Sequence, residues 1–487
     1  MADKFYITTP IYYSNAVPHL GHAYATTLAD ILARFHRLQN EEVFFLTGTA
    51  DHGQKIEKKA KEEGITPQEL TDKNVASFKD LYEKLEISND FFIRNSDKKH
   101  HWPGAQALWK KLVDTGDIYK GPYEGLYCVG CEKFLTEKEL EDGKCPDHNQ
   151  EPEKVVEENY FFRLSNYTDQ LRDIIQNDVI RIYPEHRKNE LISFISNDLE
   201  DVSFSRPKEK VGWAIPVPND EAQNMYVWCE ELSNYITAIG YGRDEEKFNS
   251  LWPADVHIVG KDILRFHAII WPAMLISAGL LLPKSILATG LIISDGRKMS
   301  KTLGNVIDPQ ELISRYGAEA VRYYFARHVS PFSDSNLTME GFEEAYTGNL
   351  VNGLGNLVAR VLKMAETHLD APTEGPSQEE FPAEYTEALN TFRFNEAYDF
   401  VWRKISELDE RIARDEPFRV VKENKEKGKE IIAECTKELY LIARLLNPLL
   451  PEASKTIKEA ILANKKPENL FPRLAEASRE GGPRLES

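Results

Sequence analysis

Two rhythms of apolar and polar positions divide the chain. In the first, short runs rich in β-branched and aromatic residues alternate with sequence of helical periodicity. Residues 5–13 precede a helical pattern over 23–40, residues 42–47 precede helices from about Gln54, and later apolar runs occupy 256–259 and 285–290. Repeated strand and helix units predict an α/β fold with a doubly wound parallel sheet, whose ligands sit outside the C-terminal strand ends. Residues 158–163 and 226–228 also read as strands, and 167–175 as a helix. After Pro331 the alternation stops. Leu354, Leu357, Val358, Val361 and Leu362 form one helical stripe; Val401, Ile405, Leu408 and Ile412 a second; Ile432, Cys435, Leu439, Ile442 and Leu446 a third. Such stripes are the core faces of a helix bundle. A Pro-, Ser- and Glu-rich stretch over 370–382 reads as a linker within it.

A length of 487 residues predicts two to four domains and ample core. Sixty basic against 79 acidic residues leave a net charge of −19, which argues against bulk attraction to nucleic acid or to an anionic membrane. A nucleic-acid partner therefore needs local patches. No apolar run is long enough to span a bilayer, and Met1-Ala2-Asp3-Lys4 lacks signal or transit character, so a cytoplasmic protein with no membrane partner is expected. Five cysteines, an odd number, argue against a disulfide scaffold and make metal binding the better use of any cluster.

Candidate chemistry gathers at the segment ends. The first strand leads through Pro18, suited to a helix entry, into His19-Leu20-Gly21-His22. A helix N-terminus is a ready anion site, and Gly21 permits close approach of a ligand to the backbone. A histidine-capped helix is equally an ordinary surface feature. Asp51-His52-Gly53 follows the second strand and reads either as a functional turn or as a cap for the next helix. Cys128-x-x-Cys131 and Cys145-x-x-His148 are two corners separated by 13 residues; together they make a tetrahedral Cys₃His set for zinc with no open position, hence a structural site. Cys229 and Cys435 stand alone and read as small buried hydrophobes. Ile263, His267 and Trp271 share one helical face by their spacing, a pattern that ordinarily marks core. Finally, Lys298-Met299-Ser300-Lys301 follows the last strand, placing two mobile cations in a glycine-punctuated loop suited to phosphates.

His-Leu-Gly-His at a first strand-to-helix turn together with Lys-Met-Ser-Lys after a late strand resembles the class I aminoacyl-tRNA synthetases. The finer motifs and the cysteine corners resemble the methionyl-tRNA synthetase family along essentially the whole chain. That resemblance implies a Rossmann-type catalytic domain in two halves, 1–115 and 225–290. Between them lies a connective insertion, 116–224, with a zinc knuckle; a stem-contact region, 291–335, and an α-helical anticodon-binding domain, 336–487, follow. It implies ATP-dependent activation of L-methionine and transfer to tRNA(Met), with one structural Zn²⁺ per chain and Mg²⁺ accompanying ATP. By matching motifs, Ile11, Tyr13, Trp228, Tyr235, Ile263, His267 and Trp271 would line the methionine pocket, with Tyr235 and His267 offering donors to the sulfur, and Asp51 and Arg206 nearby. His19, Gly21, His22, Gly260 and Asp262 would hold ATP, Lys298 and Lys301 would close over its phosphates, and Asn356, Arg360 and Phe418 would read anticodon bases. Without that resemblance, Asn356 and Arg360 read as residues of a solvated helix face. The absence of an appended dimerisation domain leads to the expectation of a monomer.

The chain departs from the family pattern beside the substrate. Ala50 stands where the family has the aspartate expected to meet the amino group of methionine, and Glu231 where it has a small residue. An unpaired buried carboxylate is costly, so Glu231 is expected either to find a cation or to point away, and Glu231 or Asp51 is the candidate to replace the lost ammonium contact. Thr302 for Ser and Phe418 for Trp are milder changes. Two rival readings are a smaller nucleotidyltransferase, which explains neither the cysteine corners nor the helical tail, and a catalytically silent tRNA-binding protein.

Overall fold

The computed structural model describes residues 4–135, 137–146, 149–196, 199–294, 296–299, 305–373 and 380–474, with the side chains of Lys138 and Lys298 outside that description. His148 and Lys301 also lie outside the described residues. The chain forms two compact units, Met1–Leu291 and Ile292–Ser487.

The first unit is built on a six-stranded sheet in which every neighbouring pair is parallel. In spatial order its strands are Phe91–Arg94, Glu42–Ala50, Lys4–Tyr13, Val256–Gly260, Ser285–Thr289 and Arg181–Tyr183. Strands buried on both faces need continuous apolar runs, and Tyr6, Ile7, Phe45, Leu46, Ile258, Val259, Ile286 and Leu287 meet that need. The first strand changes register against its neighbour between Thr8 and Ile11, the interval that contains Pro10. Proline has no N–H to donate, so the ladder breaks there and Ile11 to Tyr13 are re-aimed. Arg181–Tyr183 comes from within the segment read as the insertion, yet it is one of the two edge strands of the central sheet.

The cysteine-bearing region carries its own four-stranded antiparallel sheet, ordered Lys133–Leu135, Ile118–Cys128, Glu153–Phe162 and Val202–Ser203. A smaller sheet joins Pro216–Val217, Asp220–Met225 and Ser205–Pro207. Residues 226–228, read as a strand, instead begin the helix Val227–Leu232. Trp228, Glu231 and Tyr235 recur at helical spacing and all are buried, so a period of 3.6 fits them where an alternating strand would expose one.

The second unit contains a three-stranded sheet of Arg297–Lys298, Ile292–Ser294 and Ser335–Asn336, and its other described elements are helices. All residues of the three stripes are buried. The first stripe straddles a π-helix, Tyr346–Gly355, that runs directly into the α-helix Asn356–His368. Arg322, fully buried, donates from Nε to the carbonyl of Leu449 at 2.7 Å and from Nη2 to that of Pro448 at 2.8 Å, so its charge satisfies carbonyls just past the helix Lys425–Leu446. Among the described residues no helix is long and apolar enough to cross a membrane.

Candidate active site

The strand order reverses between Lys4–Tyr13 and Val256–Gly260, and the crevice at the C-terminal ends of such a pair is where open α/β sheets hold ligands. The first strand delivers His19 and His22 there. His19 is the N-cap of the helix Leu20–Leu38, and the two histidines form a reciprocal capping box. Nδ1 of His19 accepts from the Gly21 N–H at 3.1 Å and Nδ1 of His22 accepts from the His19 N–H at 3.2 Å. With Nδ1 accepting in each ring, the neutral imidazoles carry their proton on Nε2 as a donor. The rings stack with centroids 3.6 Å apart, and His22 also packs on Tyr12 and Phe78. Burial, then the neighbouring His19, pushes the His22 imidazolium well below the ordinary histidine range, keeping it neutral. A Cβ on Gly21 would stand 3.0 Å from Cε1 of His19, so glycine is what lets that ring fold back over the helix start. From the second strand of the pair, Gly260 leads into a 3₁₀ turn, Lys261–Ile263, on which Asp262 is exposed.

Beside this cap lies an aromatic pocket. Ile11, Tyr235 and Trp271 belong to one buried cluster against which Tyr13 and Ile263 pack, and both also pack against a second cluster that contains Trp228. Trp228 stacks on Phe266 at 3.7 Å between centroids, and Tyr235 lies 5.9 Å from Trp271. The helical face inferred for Ile263, His267 and Trp271 is modified, because Phe266–Ile270 is a π-helix. That wider turn carries Phe266 as well as His267, a residue that regular periodicity does not single out. Tyr235 Oη and His267 Nε2 are 2.7 Å apart, and His267 Nδ1 lies 2.9 Å from the carbonyl of Ile263. A carbonyl only accepts, so Nδ1 carries the proton and Nε2 accepts from Tyr235. Burial lowers the His267 pKa to about 4 and keeps the ring neutral. Both protons are thus committed within the protein, and the pair has none left for a sulfur atom, contrary to the expectation from sequence.

The acidic residues divide sharply. Asp51, fully buried, accepts from Ser14 Oγ at 2.8 Å, Ser96 Oγ at 2.6 Å and Arg94 Nε at 2.5 Å. Arg206, also buried, pairs with Glu157 through Nε at 3.1 Å and Nη2 at 2.5 Å, and its third nitrogen reaches Gln54 at 3.2 Å. Glu230 takes His52 Nδ1 at 3.0 Å and Asn95 Nδ2 at 2.7 Å on one oxygen and His101 Nε2 at 2.9 Å on the other. Burial raises its pKa to about 7 against the pull of His101 and Asn95. Arg94, Glu157, Asn95 and His101 carried no motif signal, because their role follows from partners 43 to 135 positions distant. Glu231 is 4% exposed, its Oε2 has no hydrogen-bond partner, and among the described residues it makes no ion pair. Among the described residues neither a cation nor an outward turn relieves it. Ala50 is register partner of Tyr13 and fully buried.

In the antiparallel insertion, Cys128, Cys131 and Cys145 bring their Sγ atoms within 4.8 Å of one another, with Cys131 and Cys145 at 3.4 Å. Burial and the adjacent thiols push Cys131 up in pKa, a cost that a bound cation would reverse. The spacing suits a tetrahedral ion with bonds of about 2.3 Å to each sulfur. Next to the corner, Glu132 receives the Tyr127 hydroxyl and the Lys55 N–H, while its carbonyl receives the Tyr226 hydroxyl. Gly53, at φ +115°, leaves room for it, since a Cβ there would lie 2.8 Å from the Glu132 carboxylate.

The model of the family described as tRNA synthetases class I (M) matches residues 5–155 and 139–362. A methionine-tRNA ligase of Caldanaerobacter subterraneus is 43% identical over 476 residues, 95% of this chain and 74% of that protein. One from Streptomyces coelicolor is 41% identical over 94% of this chain and 90% of its own length. The chain belongs to the methionyl-tRNA synthetase family. Among solved structures, Mycobacterium tuberculosis methionyl-tRNA synthetase in complex with methionyl-adenylate is similar at a TM-score of 0.88 and 34% identity, covering 97% of this chain and all of that one. The fold is therefore that of a class I methionyl-tRNA synthetase: parallel sheet, cysteine-bearing insertion and C-terminal helical region.

Within this synthetase the remaining expected residues lie in the second unit. The backbone of Lys298 pairs with Ile293 in the short strand Arg297–Lys298. Asn356 and Arg360 are exposed on the first two turns of Asn356–His368, where Arg360 pairs with Asp409 of the neighbouring helix, and Phe418 is 44% exposed.

Proposed function

We propose that the crevice at the strand-order reversal is where this methionine-tRNA ligase condenses L-methionine with ATP. The observation that carries the placement is the convergence, at one switch point, of a two-histidine helix cap with an aromatic pocket. The thioether side chain packs among Ile11, Tyr13, Trp228, Tyr235, Ile263, His267 and Trp271, since a polarisable sulfur gains from aromatic edges. With the Tyr235–His267 protons committed, selection rests on shape and on ring contacts. Shape alone separates substrates differing by a methylene by about 1–3 kcal/mol, so pocket rigidity is the means of discrimination here. The hydrogen bond between Tyr235 and His267 supplies that rigidity.

ATP lies over the helix start, where His19 and His22 present Nε2 donors, Gly21 admits the phosphates and Asp262 with Gly260 receives the ribose. The methionine carboxylate attacks the α-phosphorus, pyrophosphate leaves, and the adenylate passes its acyl group to a hydroxyl of the terminal adenosine of tRNA(Met), releasing AMP. No protein nucleophile is needed; alignment and charge stabilisation do the work, with Lys298 and Lys301 neutralising phosphate and Mg²⁺ entering with ATP. Cys128, Cys131, Cys145 and His148 would hold a zinc ion, whose contribution is to cross-link the two corners of the insertion. Asn356, Arg360 and Phe418 offer hydrogen-bonding and stacking groups to unpaired anticodon bases. Asp51 and Arg206 act by shaping the site through Arg94 and Glu157. ATP–pyrophosphate exchange against a panel of amino acids tests the reading: methionine alone should support exchange, and exchange driven equally by leucine, or by none, would overturn it.

A further inference from the structure

The mechanism leaves one buried group beside the pocket unused, the carboxylate of Glu231. In the helix Val227–Leu232 Glu231 follows Trp228 by one turn, and Tyr235 comes four positions later in the next short helix, Asn234–Thr237. Its charge is felt by the phenols of Tyr13 and Tyr235, both raised well above the ordinary tyrosine range first by burial and then by Glu231. Trp228, on the same helix, meets the ring of Tyr13 with centroids 6.4 Å apart, and Tyr13 also packs against the cluster that holds Tyr235, so this buried carboxylate stands on a helix that faces the first strand, beside the rings assigned to methionine. The titratable groups near enough to act on its charge are Tyr13 from the first strand, Tyr235 from the following short helix, the adjacent Glu230 and, from the insertion, Glu132. None is a cation. Lys55 lies over the Tyr13 ring at 5.8 Å but donates to the carbonyl of Gly130 at 3.0 Å.

A carboxylate in these surroundings is stable only with a positive partner or a proton. The other acids nearby have theirs: Asp51 has Arg94 and two hydroxyls, and Glu230 has two imidazoles and an amide. A lone carboxylate oxygen among aromatic rings is too few ligands for a metal ion, which needs several oxygens. It does suit a compact ammonium, which gains both an ion pair and the faces of the rings. We propose that Glu231 binds the α-ammonium group of the amino-acid substrate. The proposal rests on the pocket being the amino-acid site, and it places the anchor on the helix side of the pocket because the strand side, at Ala50 beside Tyr13, offers only a methyl group.

Binding of three probes to Glu231→Gln and to the wild-type chain tests this by equilibrium dialysis. L-Methionine carries both charged groups, L-methioninol only the amine, and 4-(methylthio)butanoic acid only the carboxylate. Glutamine keeps the shape of the side chain, so the fold is expected to persist, and a thermal melt on the same sample checks it. The expected result is at least a 30-fold loss for methionine and methioninol, with the desamino acid within threefold of wild type. An equal loss for all three probes would indicate a packing role and overturn the assignment. So would unchanged methionine affinity, or a loss seen in Asp51→Asn and not in Glu231→Gln. Failure of the wild-type chain to bind methionine would instead sink the underlying reading of the pocket.

Discussion

The hydroxyl of Tyr235 donates to Nε2 of His267 at 2.7 Å, which orients the imidazole so that its other nitrogen donates to the carbonyl of Ile263. In Tyr235→Phe a buried acceptor loses its donor, at a cost of about 1–3 kcal/mol, and the aromatic pocket proposed for methionine loses its brace. Chemical denaturation should show that loss, and the KM for methionine in pyrophosphate exchange should rise.

The same imidazole makes stability depend on pH. Burial lowers its folded pKa from 6.5 to about 4. The unfolded chain therefore binds a proton that the native state refuses, and stability falls as pH drops from about 6.5 towards 4, by at most about 1.4 kcal/mol per unit for one such group. His52 is lowered to about 4 for the same reason and adds in the same direction. Urea midpoints measured between pH 7 and 4 should fall more steeply in the wild type than in His267→Gln.

For Glu231 the sign is opposite. Burial raises its folded pKa well above the ordinary carboxylate range. Stability associated with the protonated acid is complete below about pH 4.5 and is lost as pH rises through the folded value, so Glu231→Gln should gain on the wild type as pH increases. Methionine, by supplying an ammonium partner, should bind the wild type more tightly with rising pH and bind Glu231→Gln without that dependence. Intrinsic fluorescence titrations at pH 5.5 to 8 read both curves.

The histidine cap predicts a graded response. Removing a single donor to a developing charge costs on the order of 100- to 1,000-fold, so His22→Ala should reduce adenylate formation by that factor, and Lys301→Ala likewise. Gly21→Ala retains both rings but puts a Cβ 3.0 Å from His19 Cε1, displacing it. We expect about a 10- to 100-fold fall in kcat with methionine affinity retained, measured by pyrophosphate exchange and dialysis.

Metal loss should act on structure before chemistry. Cys145→Ser, or prolonged chelation, is expected to release one zinc per chain and loosen the insertion, seen as new protease sensitivity near residues 128–150 while the core of the parallel sheet keeps its hydrogen-exchange protection. Retained resistance with no bound metal would argue that the cysteine corner holds itself.

At the helical end, Arg360 pairs with Asp409 on an exposed surface, a contact of little consequence for folding. Arg360→Ala should leave thermal stability and pyrophosphate exchange unchanged and weaken aminoacylation of tRNA(Met), seen as a raised KM for tRNA.

What could be read from the chain alone was whatever depends on neighbours within a few positions. The histidine cap, the cysteine corners, the bundle stripes and the alternation of strand with helix are local or periodic, and the fold followed from them. Even the anomaly at Ala50 and Glu231 was visible. Partner choice was not. Asp51, Glu157, Glu230 and Glu231 are chemically alike in a sequence, yet the tertiary structure gives Asp51 to Arg94, Glu157 to Arg206 and Glu230 to His52 and His101, and among the described residues leaves Glu231 without a cation. The π-turn that brings Phe266 against Trp228, and the transfer of Arg181–Tyr183 into the central sheet, were likewise decided by packing. The reason is physical: the energy of a buried charge is set by the few groups within about 4 Å of it, and in this fold those groups come from segments far apart in the chain.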